Sequence, residues 1–186
     1  DHEGIKNENI YNGADDNASG IGALLAFADY LQKNTPQYSI ILAAFDAEEL
    51  GLEGAKYFIS NAIVPLERIK LNINMDMISR NAKNQLYVAG TVYNDYLKSV
   101  ISNFLTPTKP QLLMGHDGKD GLQNWTHTGD HSPFHLKNIP FLYFGVEDHK
   151  DYHKPTDDFE NINPEFYKSA VQTILNVFSH MDKLNL

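Results

Sequence analysis

Phe45-Asp46-Ala47-Glu48-Glu49-Leu50-Gly51 places two adjacent glutamates where an apolar run, Tyr38 to Phe45, gives way to a helix start at Gly51-Leu-Glu-Gly-Ala-Lys-Tyr-Phe58. Ionised carboxylates at the end of a buried strand are costly unless something compensates them. A cation can neutralise one while the other moves protons. Zinc held by carboxylates and imidazoles, with a free glutamate beside it as general base, is one such solution. Taken alone, the pair reads equally well as acids at a helix N-terminus, which the helix dipole favours. Three more groups bear on the choice. Asp15 and Asp16 stand where a loop enters a helical pattern, and capping accounts for one of them but not both. Asp76 ends an alternating run, and His153 follows the last apolar strand.

The elements that must position these groups alternate along the chain. Ile21, Leu24, Leu25, Ala28 and Leu31 recur at helical steps after Asp16 or Asn17 as N-cap. Ser39–Phe45 reads as a buried strand, 51–61 as a short helix, and 71–77 and 86–90 as further strands. A helix over 96–105 precedes a Pro-, Gly-, Asp- and His-rich stretch, 106–131, read as one long loop; loops of that length in compact domains usually carry function. A turn of helix at 132–137, a strand at 139–145 and a helix from Pro164 complete the chain, the last with Phe166, Ala170, Ile174, Val177, Phe178 and Met181 on its apolar face. The expected architecture is a three-layer α/β/α domain around a mostly parallel sheet. In such sheets ligands collect beyond the carboxyl ends of the strands, and Asp15, Glu48, Glu49, Asp76 and His153 all fall there or in a loop entering a helix.

Bulk properties narrow the classes. The 186 residues suit one domain with a substantial core. With 24 acidic residues against 15 basic ones, nucleic acid and anionic membranes are poor partners. There is no cysteine, so disulfides and thiolate metal sites are excluded. Most of the eight histidines lie between His116 and His153. No apolar run approaches the length of a membrane span.

Two zinc ions about 3.5–4 Å apart need a bridging carboxylate and further ligands on each. Asp15 could bridge, Glu49 and His153 could complete one ion, and Asp76 could serve the other. Glu48 would then remain free to take a proton from water. His153 alone reads as a surface histidine, and Asp76 alone as a strand-end acid bonded to loop amides; together those readings weaken.

Five motifs carry a family resemblance. Gly13-Ala-Asp15-Asp16-Asn-Ala-Ser-Gly20, Phe45-Asp-Ala-Glu48-Glu49-Leu-Gly51, Asn74-Met-Asp76-Met77, Gly129-Asp-His-Ser-Pro-Phe134 and Tyr152-His153-Lys-Pro-Thr-Asp157 resemble, in order and context, those of the M28 zinc aminopeptidases. The resemblance implies that Asp15 is the bridging ligand with a cis peptide bond to Asp16, that Glu49 and His153 hold one zinc, and that Asp76 belongs to the other. It implies Glu48 as general base and Tyr152 as the tyrosine that steadies the oxyanion. Asp130-His131 could tune the pocket or anchor the loop. The family's remaining ligand is the histidine of a His-x-Asp motif, and this chain opens Asp1-His2-Glu3-Gly4. On that alignment Asp1 is the motif's aspartate and His2 the non-ligand histidine after it. The expectation is an M28-like catalytic domain over 1–186, N-terminally truncated, with two zinc ions in the complete protein and one or none in this chain unless His2 substitutes.

The expected function is removal of N-terminal residues from peptide substrates through metal-activated water and Glu48. A glutaminyl cyclase on the same scaffold is the alternative, against which Asn74-Met-Asp76-Met77-Ile78-Ser79-Arg80 resembles the peptidase version. A non-catalytic piece with an incomplete site is the third. Similar proteins are commonly exported, so a secreted or periplasmic location is expected for the full-length form.

Overall fold

The structure is a computed structural model that describes residues 4–105 and 110–184. Asp1 and His2, with the substitution considered for His2, lie outside the described residues, as does the start of the 106–131 stretch.

A small antiparallel hairpin comes first, β1 (Gly4–Lys6) paired with β2 (Asn9–Tyr11) around Asn7-Glu8, both at positive φ. Then follow α1 (Ala18–Lys33), α2 (Glu53–Ser60), β3 (Asn72–Met75), β4 (Gln85–Ala89), α3 (Asp95–Ser102), β5 (Gln111–Met114), α4 (Ser132–His135), β6 (Phe141–Gly145) and α5 (Pro164–Met181). The central sheet has the order β3-β6-β4-β5, with β3 and β6 parallel, β4 and β5 parallel, and β4 and β6 antiparallel. The fold is thus mixed α/β with a mostly parallel sheet. No helix among the described residues is long and apolar enough to cross a membrane.

Strand alternation divides the core in two. Leu86 and Val88 of β4, with Leu142 and Phe144 of β6, join α1, α3 and α5 in the main cluster. Tyr87, Ala89, Phe141 and Tyr143 face the other way, onto Trp125 of the loop that precedes α4. Beside that second face α4 packs on α2, where the rings of Phe45, Phe58 and Phe134 meet at centroid separations of 5.6–6.2 Å. The face expected for α5 is buried as read from its periodicity.

Three local expectations are corrected. Ser39–Phe45 joins no ladder: Ile40 packs on the main core, but Ile41 and Leu42 are 42% and 39% exposed, leaving β3 at the sheet edge among the described residues. An apolar run signals burial, whereas a ladder also needs a neighbour strand in register. The stretch 106–131 is not one continuous loop, because Gln111–Met114 forms β5. In α1 the fully buried face is Ser19, Gly20, Ala23 and Phe27; of the face expected, Leu24 and Leu31 pack against the core, while Leu25 is 70% exposed. Close approach explains that choice: a Cβ on Gly20 would run into the Met75 carbonyl of β3, so small residues win the contact over large ones.

Asn17 is the N-cap. Its Oδ1 accepts from Gly20 N–H at 2.9 Å and Met77 N–H at 3.4 Å, while its Nδ2 donates to the Met75 carbonyl at 3.0 Å. One side chain therefore ties the start of α1 to the end of β3. Asn17→Ala is expected to lower unfolding stability by about 1–3 kcal/mol, at or above the loss of a cap alone, since groups on β3 also lose their partner. Urea unfolding measures this, and Asn17→Ser, which keeps only the cap, is expected to fall between.

Candidate metal centre

β3 and β6 run parallel, so their carboxyl ends share one edge of the sheet. Asp76 follows β3 directly, and the segment after β6 carries His149 and His153 toward α5. Asp16 arrives from the loop before α1, Glu48 and Glu49 from the turn before α2, and Asp130 from the loop before α4. Several positions here hold non-glycine residues in the left-handed region: Ala47 at φ 54°, Met77 at φ 54° and His153 itself at φ 54°. Such conformations persist where the surroundings enforce them, and they concentrate at functional sites.

Donor atoms of Asp16, Glu49 and His153 lie within 4.8 Å of one another. His153 Nε2 is 3.3 Å from Asp16 Oδ2 and 3.2 Å from Glu49 Oε1. Tetrahedral zinc with bonds of about 2.0–2.1 Å separates its ligands by about 3.3 Å, which both separations from His153 match. Mixed imidazole and carboxylate donors accept zinc, and cobalt or manganese as well.

Around the trio the acids crowd. Asp16, Glu48, Asp76 and Asp130 line one pocket together with Phe45 and Asn74. Burial, then Glu49, Asp130 and Asp16 push the Glu48 carboxyl up to about 7. Asp76 is held well above the usual carboxylate range by burial first, then by Asp16, Glu48, Asp130 and Asp15, and its Oδ1 has no hydrogen-bond partner. Asp130 is raised to about 6 by burial, with Asp46 adding to it, and its Oδ1 is likewise unpartnered. Tyr152 packs its ring against His153 at a centroid separation of 3.8 Å, tilted by 35°, and burial followed by Asp16, Asp148 and Glu49 pushes its hydroxyl upward, so it stays a proton donor.

Asp15 does not take the bridging place the sequence suggested. It is fully buried, its Oδ1 accepts from Ser79 N–H at 2.7 Å, and its Oδ2 faces His149 Nε2 at 3.0 Å. Asp16 faces Glu49 and His153 instead, and the cis peptide bond is Asp16–Asn17 rather than Asp15–Asp16. Two adjacent aspartates in a loop point opposite ways, and spacing does not say which points where. Glu48, Glu49, Asp76, Tyr152 and His153 do converge. Reasoning from sequence missed Arg80, His149 and Asp151, which stand behind the trio; a histidine four residues before His153 was the available signal.

Residues 1–178 match the family described as Peptidase family M28. Aminopeptidase YwaD of Bacillus subtilis (strain 168) is 30% identical over 167 residues, 85% of this chain and 35% of that protein. The structure of BSAP, a zinc aminopeptidase from Bacillus subtilis, superposes with a TM-score of 0.70 at 24% identity, covering 93% of this chain and 44% of that one. Porphyromonas gingivalis glutaminyl cyclase shares the fold at a TM-score of 0.69 and 18% identity, over 94% of this chain and 65% of that one. The chain thus spans about a third of the curated relative it matches. With a family match along nearly its whole length, it belongs to peptidase family M28.

Proposed function

We propose that the protein containing this chain is a zinc-dependent aminopeptidase. The observation that carries the reading is the convergence of Asp16, Glu49 and His153 donor atoms within 4.8 Å, with Glu48 adjacent and titrating near neutrality. Membership of a peptidase family and the relatives' described activities support it.

In this reading Asp16, Glu49 and His153 hold one zinc, and Asp16 with Asp76 belongs to a second in the complete protein. Zinc there supplies Lewis acidity, polarising a carbonyl and making water more acidic. Glu48 takes a proton from the attacking water and returns it to the departing amine, work that favours a carboxyl tuned toward neutrality. Tyr152, kept protonated beside His153, donates a hydrogen bond to the oxygen where charge develops. The acids of the pocket attract the ammonium group that distinguishes a peptide's N-terminus, which favours cleavage from that end.

Glutaminyl cyclase chemistry is the second reading, favoured by the shared fold and a one-ion trio. A common assay separates the two. Full-length protein is expected to hydrolyse aminoacyl anilides and to release no ammonia from a Gln-initiated peptide, measured side by side; the reverse pattern selects the cyclase.

Glu48→Gln is expected to lower aminoacyl anilide turnover by at least about 10²–10⁴-fold, the usual contribution of a positioned proton carrier, while metal analysis finds zinc retained. Unchanged turnover would remove Glu48 from the mechanism.

A further inference from the structure

Behind the trio, a closed ring of polar groups joins three segments that are far apart in sequence. Asp157, almost fully buried, accepts the backbone N–H groups of both Asp15 (3.0 Å) and Asp16 (3.0 Å) on its carboxylate. Arg80, four residues past Asp76, reaches the same ring with both guanidinium arms. Its Nη1 donates to Asp151 Oδ2 at 2.9 Å and to the Asn161 carbonyl at 3.0 Å. Its Nη2 lies 2.6 Å from His149 Nδ1 and 3.5 Å from Asp157 Oδ1. His149 Nε2 then meets Asp15 Oδ2 at 3.0 Å, which closes the ring, since Ser79 N–H also binds Asp15.

The donors fix the imidazole's state. Arginine has only protons to give, and the Asp151 N–H also points at Nδ1 at 3.2 Å, so Nδ1 accepts. The proton therefore sits on Nε2 and is donated to Asp15. Each member orients the next, and the ring holds together the peptide carrying Asp16 and the loop carrying His153.

We propose that Arg80, His149 and Asp157 are positioning residues for the metal: they clamp the Asp15–Asp16 loop to the 149–157 loop so that Asp16 Oδ2 and His153 Nε2 are already at ligating separation before an ion arrives. The inference rests on Asp16 and His153 being ligands. It goes beyond that assignment in saying which groups prepare the geometry. A clamp of this kind acts through affinity, because ligands held in place lose no freedom when the ion binds. Geometry also makes the demand on Arg80 specific. A lysine ammonium is a single point charge and cannot span Asp151, His149 and Asp157 at once.

The test is zinc titration of metal-stripped full-length protein against a chromophoric chelator, alongside thermal unfolding of the stripped protein. Asp157→Asn, which puts an amide donor against two N–H donors, is expected to weaken zinc binding about 10–100-fold, the usual effect of losing a ligand's supporting partner. Arg80→Lys is expected to weaken it measurably. His149→Gln, which keeps one acceptor and one donor, is expected to bind more tightly than His149→Leu. Should Asp157→Asn prove too unstable to purify, the two His149 variants carry the comparison. Wild-type zinc affinity in Asp157→Asn, or equal affinity in His149→Gln and His149→Leu, overturns the clamp while leaving the ligand assignment standing. Failure of the wild-type protein to bind zinc overturns both.

Discussion

Crowded carboxylates are the constraint that orders this molecule. Asp16, Glu48, Glu49, Asp76 and Asp130 gather near the exposed imidazole of His153, and their mutual repulsion adds to the cost of burial. Without a cation the arrangement relieves itself by holding protons, as the raised Glu48, Asp76 and Asp130 carboxyls show. In the proposed reading a divalent ion on Asp16, Glu49 and His153 would reverse that relief by favouring their charged forms, and would leave Glu48 to exchange a proton. The same crowding would then favour the ion's binding.

The scaffold meets this constraint with rigid parts. Parallel β3 and β6 deliver Asp76 and the His149–His153 loop to one edge. Gly20 lets α1 lie close against β3, and Asn17 fastens the two together beside Asp16. Charge is segregated by depth. The pocket itself holds acids and one accessible histidine, whereas the arginine that balances buried Asp151 and Asp157 stands behind it. An arginine in the pocket would compete with the cation; behind it, the same charge holds the ligand loops in place.

Much of this was legible in the sequence, for identifiable reasons. The helix from Pro164 declared itself because a long period of large apolar residues has one physical reading. The strands around Asn74 and Tyr143 were legible from alternation and from apolar continuity. Glu48, Glu49, Asp76 and His153 could be gathered because each stands at an element boundary on the same side of an α/β sheet. Failures have equally local causes. Ser39–Phe45 has the composition of a strand, but pairing depends on a neighbour that composition does not specify. Gln111–Met114 is four residues long, too short for a period to emerge from its Pro- and Gly-rich surroundings. The buried stripe of α1 begins with Ser19, Gly20 and Ala23 before reaching Phe27, so the period of large residues misdirects at its start. Asp15 and Asp16 differ by one residue in position and by opposite directions in space. The ring through Arg80, His149 and Asp157 spans separations of 69 to 142 residues, and no spacing rule reaches that far.

Which side chains face the ion decides the chemistry of the pocket. Anomalous diffraction at the zinc edge from crystals of the zinc-loaded full-length protein reads this directly. The predicted result is a peak bonded at about 2.0–2.2 Å to Asp16, Glu49 and His153, with Asp15 turned away toward His149 and Ser79. A zinc peak bonded to Asp15 instead of Asp16, or zinc-loaded crystals with no zinc on Asp16, Glu49 and His153, would contradict it.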